Sequence, residues 1–391
     1  MLKKFISMKV TQISIGRFHH FHLARQLEKH NLLDRIWTGY PKFKLKDEEG
    51  IPIEKIKSFP WLHTPYMMRN RIGIGNWHWL NREWSWLAQN TLDLKVSKNI
   101  NQPSIVVALS GSGLHSGTKA QKKGGYYICD RGSSHIRFQD EILKEEYLRW
   151  GLIFEDIDPR ILAKEEAEYE QSNIITVPSE FVKQSFIKKG VSEKKIAKVI
   201  YGARINRFSK IAEPSEQIFR VLWVGSICLR KGFFDVLKAF QLLKHPKKEL
   251  LVIGGIATEI EALLPSWNLD NVIFKGNVPN DQLPYIYSTA HVFVLASIEE
   301  GLAMVQGEAL ACGCPVIATN NTGSEDLYND EIEGFIVPIR SPAIIAEKLQ
   351  QLADDKVLRL QMSFAAEQKM KNIGGWDNYG TNFKNIIDTL P

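Results

Sequence analysis

Apolar positions along the chain fall into short β-branched runs separated by amphipathic stretches, and the alternation continues almost from end to end. A run of about four to eight apolar residues bounded by turn residues reads as a buried strand, and the 3.6-residue periodicity between runs reads as helices packed on a parallel sheet. Strands are predicted at residues 8–15, 33–37, 104–109, 126–129, 174–177 and 196–200. A helix follows Gly16, and Ser179 caps another that runs to Lys188. Residues 201–217 are polar and carry Gly202 and Pro214, the texture of an interdomain linker. The alternation then restarts, with strands at 219–224, 250–253, 272–274, 292–295 and 316–318 and a terminal helix over 376–390. The expected fold class is α/β: two doubly wound Rossmann-like domains, 1–205 and 206–372, with parallel sheets facing a central cleft. Residues 373–391 form a helix returning to the first domain.

One stretch breaks the pattern. Between Phe59 and Leu87 lie Trp61, Trp77, Trp79, Trp84 and Trp86, mixed with Arg69, Arg71, Arg82, His63 and His78. It reads as a helical insertion whose tryptophans are partly core, or as an acceptor groove or membrane-interface patch.

Composition changes this picture little. The chain has 391 residues, 44% of them hydrophobic, enough for each half to bury its own core. The net charge of +6 suits anionic substrates or an anionic membrane surface, and no dense Lys/Arg block suggests nucleic acid. Cys129, Cys228, Cys312 and Cys314 form no CxxC pair, so disulfides and zinc are not expected and reduced thiols point to the cytoplasm. No apolar run approaches the roughly 18 residues of a membrane span, so any membrane contact is expected to be peripheral.

Two strand–loop–helix junctions carry the candidate chemistry. In the first, residues 296–309, a helix is expected to begin near Gly301, so that the N–H groups of Gly301, Leu302 and Ala303 offer a diphosphate site. Glu300 and Glu308 are eight residues apart, just over two helical turns, which predicts one face and a separation of about 12 Å. That spacing can span a nucleotide-sugar, one carboxylate for sugar hydroxyls and one for the ribose, or else both glutamates decorate an exposed helix face. In the second, residues 224–232, Gly225 permits a sharp turn, and Arg230 and Lys231 sit where a phosphate would be neutralised. Both junctions fall at carboxyl ends of strands, where doubly wound sheets bind ligands. Asp156-Ile157-Asp158 reads as a chance acidic pair, and no metal site is expected.

These residues resemble glycosyltransferase family 4, the retaining transferases of the GT-B fold. The carriers are Gly225…Arg230-Lys231-Gly232, Glu300-x7-Glu308, Gly313-Cys314-Pro315-Val316-Ile317-Ala318, Thr322-Gly323-Ser324-Glu325-Asp326 and Glu333-Gly334-Phe335-Ile336-Val337. The resemblance implies a metal-independent hexosyltransferase of polysaccharide biosynthesis that uses a UDP- or GDP-linked sugar and a glycan, lipid-linked or small acceptor, without a cofactor. Glu300 would contact the transferred sugar, Glu308 the ribose, and Arg230 and Lys231 the leaving diphosphate, while the departing phosphate helps take the acceptor's proton. Gly16 looks like the family's N-terminal glycine turn.

The chain departs from the pattern twice. Ser226 stands where many members carry arginine, a place Arg230 would cover. Where the family often has His-Asp, the chain reads Cys129-Asp130-Arg131-Gly132-Ser133-Ser134-His135, so Asp130 or His135 would substitute, with His135 the favoured catalytic candidate. His19, His20 and His22 follow Gly16 and either reach the cleft or decorate a helix start. Two other functions share the fold: a nucleotide-sugar epimerase, which needs no acceptor, and a non-catalytic nucleotide-sugar or glycan-binding protein.

Overall fold

A computed structural model describes residues 8–17, 19–69, 78–202 and 207–391. Within the aromatic stretch, Arg71, Trp77 and the side chain of His78 lie outside the described residues, as does part of the linker, 203–206.

The first sheet comprises β1 (Val10–Ser14), β2 (Leu33–Thr38), β3 (Ile56–Ser58), β4 (Ile105–Leu109), β5 (Tyr126–Asp130), β6 (Ile174–Val177) and β7 (Ile196–Lys198). The second comprises β8 (Phe219–Val224), β9 (Lys248–Ile253), β10 (Val272–Gly276), β11 (Val292–Leu295), β12 (Val316–Thr319) and β13 (Gly334–Val337). Their orders are β3-β2-β1-β4-β5-β6-β7 and β10-β9-β8-β11-β12-β13, and every pairing is parallel. In each sheet the order reverses once, between β1 and β4 and between β8 and β11, which opens a crevice at the carboxyl ends of those strands. The inner strands are buried on both faces because helices cover both.

Around the first sheet run α1 (His20–Lys29), α2 (His63–Met68), α3 (His78–Ser97), α4 (Leu114–Lys122), α5 (Ile136–Arg149), α6 (Pro159–Gln171) and α7 (Glu180–Lys188). Around the second run α8 (Phe233–Leu242), α9 (Thr258–Glu261), α10 (Leu283–Ser288), α11 (Met304–Ala311), α12 (Pro342–Asp354) and α13 (Lys356–Asn372). The last helix, α14 (Trp376–Asp388), lies against α1: Asp377 accepts from Gln26 and Lys29, both at 2.9 Å, and Gly380 is packed on Gln26.

Local chemistry accounts for the helix starts. Ser179 Oγ accepts from Val182 N at 3.3 Å, and Asp158 Oδ1 accepts from Arg160 N at 2.9 Å. Asp158 is thus a helix cap and Asp156 an ion-pair partner of Lys144 at 3.1 Å. Glycine stands at the N-cap of α4, so two neighbouring helices supply carboxylates instead: Glu168 accepts from Gly111, Gly113 and Leu114 N–H, and Asp93 from those of His115 and Ser116. In the aromatic stretch Trp84 is tied down by a hydrogen bond to Leu62 O at 3.1 Å. Trp61 and Trp79 are 75% and 68% exposed, so these two belong to the surface and not to the core.

Three buried histidines make the fold acid-sensitive. Burial, chiefly, lowers His20, His135 and His291 each to about 4 from an ordinary 6.5. A histidine that stays neutral in the folded state takes up protons on unfolding between those values, so its stabilisation is complete above pH 6.5 and is lost as pH falls toward 4. His135→Asn keeps an acceptor at the cap of α5 and removes one titration. It is expected to narrow the stability gap between pH 7.5 and pH 5 by about 2 kcal/mol in denaturant melts; an unchanged gap would refute the assignment.

Candidate active site

The two reversals of strand order face each other across a cleft of about 2320 Å³. Its walls include Arg17, His19, His22 and Tyr201 from the first domain, Val224, Asn280, Asp281, Met304, Val305 and Glu308 from the second, and 371–377 where the chain crosses back.

On the second-domain wall the chain leaves β8 through Gly225, whose φ of +136° suits glycine alone, and turns through Leu229–Lys231 to Gly232 at φ +70°. A Cβ on Gly232 would lie 1.9 Å from Ala296 O, so glycine there lets the loops after β8 and β11 meet. They are stitched by Ile298 N donating to Arg230 O at 2.8 Å and by the Arg230 guanidinium donating to Glu299 O at 2.8 Å. The result places Arg230 and Lys231 at 3.0 and 2.8 Å from Glu300 Oε1. These approaches are charge contacts without hydrogen-bond direction, and Oε1 has no directed partner among the described residues. Burial opposes ionisation of Glu300, but Arg230 and then Lys231 outweigh it and hold the carboxyl below its ordinary value. Lys231 Nζ also lies beside Gly225, which links this charged group to the cleft lining at Val224.

The helix near residue 301 is displaced from its predicted start. It begins at Met304, so Glu300 stands in the loop and the helix-rise separation from Glu308 does not apply. Gly301 lies at the domain junction: a Cβ there would fall 1.7 Å from Gly132 O, and its carbonyl accepts from Ser179 Oγ at 2.5 Å. Leu302 is buried against Gly323, and Ala303 N donates to Thr322 O at 3.2 Å. Met304 and Val305 line the cleft at the start of this helix, where backbone N–H groups have no intrahelical acceptor. Glu308 does line the cleft and accepts from the Tyr287 hydroxyl at 3.2 Å.

Sequence reasoning missed Glu299. Its buried carboxylate accepts from Ser134 N and Oγ at 2.9 and 2.8 Å and from Gln139 Nε2 at 3.0 Å, tying the two domains together beside the charged group. Arg149 with Asp235 (2.8 and 2.5 Å), Arg340 with Glu146 (2.7 Å) and Lys198 with Asp326 (2.7 Å) extend the junction.

On the first-domain wall, Gly16 sits in the turn after β1, its carbonyl accepting from Ser14 Oγ at 2.7 Å. His135 is not brought to the cleft. Its Nδ1 accepts from Arg137 N at 3.2 Å as the cap of α5, and the ring is enclosed by Tyr169 and Phe186, both 5.0 Å away. The histidines that do reach the cleft are His19 and His22, the latter stacked on Trp376 at 3.8 Å. Asp130, the last residue of β5, receives His19 Nε2 at 2.7 Å and Thr176 Oγ1 at 2.7 Å, with His20 Nε2 3.1 Å away. Burial works against the Asp130 carboxylate, yet His19 and His20 hold it ionised well below the usual range. Among the described residues, His19, His20 and Asp130 also form the one group compact enough to hold a metal ion.

Residues 205–369 match the family model for glycosyl transferases group 1. The match covers the second domain, where Arg230, Lys231, Glu300 and Glu308 all lie. Among curated relatives, a putative glycosyltransferase, YtcC, of Bacillus subtilis is 26% identical over 51% of this chain and 56% of its own length. The O-antigen chain mannosyltransferase B of Escherichia coli is 32% identical over 43% of this chain and 45% of its own. The chain thus spans about half the length of these relatives. Sucrose-phosphate synthase from Thermosynechococcus elongatus superposes with TM-score 0.70 at 18% identity, covering 98% of this chain and 99% of that one. Anabaena Alr3699/HepE in complex with UDP gives 0.70 at 15%, covering 98% and 100%. At such identities the likeness concerns the fold, which is GT-B. No described helix is long and apolar enough to cross a membrane.

Proposed function

We propose that the protein transfers a hexose from a UDP- or GDP-linked donor to a carbohydrate or lipid-linked acceptor, with retention at the anomeric carbon and without a metal ion. The observation that carries this reading is the contact of Arg230 and Lys231 with Glu300 beside the cleft. Charge develops on the diphosphate as its bond to sugar breaks, and preorganised cations stabilise that charge in a partly dehydrated site. When a diphosphate takes over the two cations, Glu300 is released toward the sugar hydroxyls, and the N–H groups of Met304 and Val305 add the positive end of α11. Glu308, further along the cleft, suits the ribose diol.

UDP and GDP provide the direct test, because a bound ligand at about 100 times its Kd adds about 2.7 kcal/mol of stability. One of the two is expected to raise the Tm of the parent protein and to leave Lys231→Ala nearly unmoved. If neither nucleotide stabilises the parent, the reading fails. Product anomeric configuration, read by NMR, tests retention separately. A new sugar isomer formed from donor alone would instead identify an epimerase.

A further inference from the structure

The outer side of α13 carries an apolar stripe that neither the core nor the cleft uses. The helix is 17 residues long and is capped by Asp355, whose carboxylate accepts from Leu358 N at 2.8 Å. Met362, Ala366 and Met370 are buried and hold its inner side on the domain. On the opposite side stand Val357, Leu360 and Phe364, which are 64%, 51% and 66% exposed. Residues three and four apart share one side of a helix, so these three form one continuous ridge. Singly exposed apolar residues are ordinary, whereas a ridge in register marks a contact surface. A solvent-facing helix side is normally polar, and Val and Phe are poorer helix formers than the Lys, Glu or Gln that suit such places. The ridge thus costs helix propensity and wets apolar surface, and burial against another body would offset both.

The charges flanking the ridge select that body. Lys356 is exposed at one edge, and Glu367, half-buried, stands at the same edge about three turns further on. With two such helices antiparallel and a two-fold axis midway between Leu360 and Phe364, Leu360 meets Phe364 of a second copy. Lys356 then comes within about one residue of alignment with the second copy's Glu367, and the symmetry makes each contact twice. A parallel pair would set Lys356 against Lys356 and Glu367 against Glu367. The surface is therefore complementary to itself in the antiparallel orientation. Within one chain Lys356 contacts Glu216 and Glu367 lies 3.8 Å from Lys210, surface pairs that contribute little on their own.

We infer that α13 is a self-association surface, on which two copies of this chain pack their Val357, Leu360 and Phe364 ridges antiparallel. None of the three ridge residues belongs to the cleft lining, so association leaves the proposed donor site free, and the inference does not depend on the proposed transfer. One helix pair is smaller than the roughly 800 Å² per partner of a stable interface. The dimer is accordingly reversible and depends on concentration.

Sedimentation velocity on the full chain, from about 1 to about 100 µM, is expected to show monomer passing to dimer. Phe364→Glu and Leu360→Glu are at exposed positions and should keep the parental melting curve. Each is expected to weaken the dimer by roughly tenfold or more. Lys356→Glu should weaken it as well, and adding Glu367→Lys should restore it, a recovery that a general change in solubility would not produce. A chain that stays monomeric throughout the range overturns the inference, as does a dimer that survives Phe364→Glu and Leu360→Glu together. A dimer indifferent to both charge reversals overturns the antiparallel arrangement. A monomer that pellets with vesicles of equal phosphatidylglycerol and phosphatidylcholine, and ceases to do so in Phe364→Glu, would overturn it in favour of a lipid surface.

Discussion

Lys231→Ala is expected to lower turnover roughly 100- to 1000-fold, the usual cost of removing one preorganised group that stabilises developing charge. The protein should remain folded, because Glu300 keeps Arg230 at 3.0 Å after the lysine is gone. The loss should fall on kcat more than on acceptor KM, since the ammonium is needed most when the diphosphate departs. Glu300→Ala should be as damaging for a different reason. It removes the carboxylate expected to hold the sugar, yet leaves both cations free for the diphosphate, so UDP or GDP should bind it at least as well as the parent. Steady-state kinetics with a nucleotide-binding measurement on both variants checks this contrast. Near-parental turnover in either would exclude these residues from catalysis.

Gly301→Ala should be strongly disruptive for a single added methyl group. The new Cβ would stand 1.7 Å from Gly132 O, which is backbone and cannot rotate aside. The clash lies between domains, so the natural relief is to part them. That separation would break the Ser179–Gly301 bond and strain the Glu299–Ser134 and Glu299–Gln139 bonds. The radius of gyration in solution scattering should increase and transfer should fall at least tenfold, roughly the effect of a small misplacement of reacting groups. Each domain's own core is untouched, so secondary structure should persist. Unchanged scattering and activity would mean that the junction seen here is unimportant for catalysis.

The strands were readable because buried parallel strands are apolar on both faces. Ile174–Val177, Phe219–Val224 and Val292–Leu295 have the predicted bounds. The short edge strand Ile56–Ser58, with only Ile56 fully buried, offers no such signal. The start of α11 was placed three residues early. The loop before it is held by side chains and carbonyls of distant elements, such as Ser179 and Thr322, not by a local cap. The pairing of Arg230 and Lys231 with Glu300 followed from two junctions at neighbouring strand ends, whereas adjacent Glu299 looks the same in sequence and differs only in facing the other domain. The choice between His135 and His19 was illegible for a related reason. Asp130 marks a strand end, but which histidine reaches it depends on the β1–α1 turn crossing from a strand two places away in the sheet.

The return of α14 to α1 has a mechanical consequence. The polypeptide passes between the domains twice, and the two passages touch, since a Cβ on Gly202 would lie 2.5 Å from Trp376 N. Two bodies joined at adjacent points swing about the line through them but resist twisting or sliding apart. Opening would then be a rotation with one degree of freedom. Because 371–377 and Tyr201 themselves line the cleft, its floor lies along that pivot and its mouth would widen as the lobes turn.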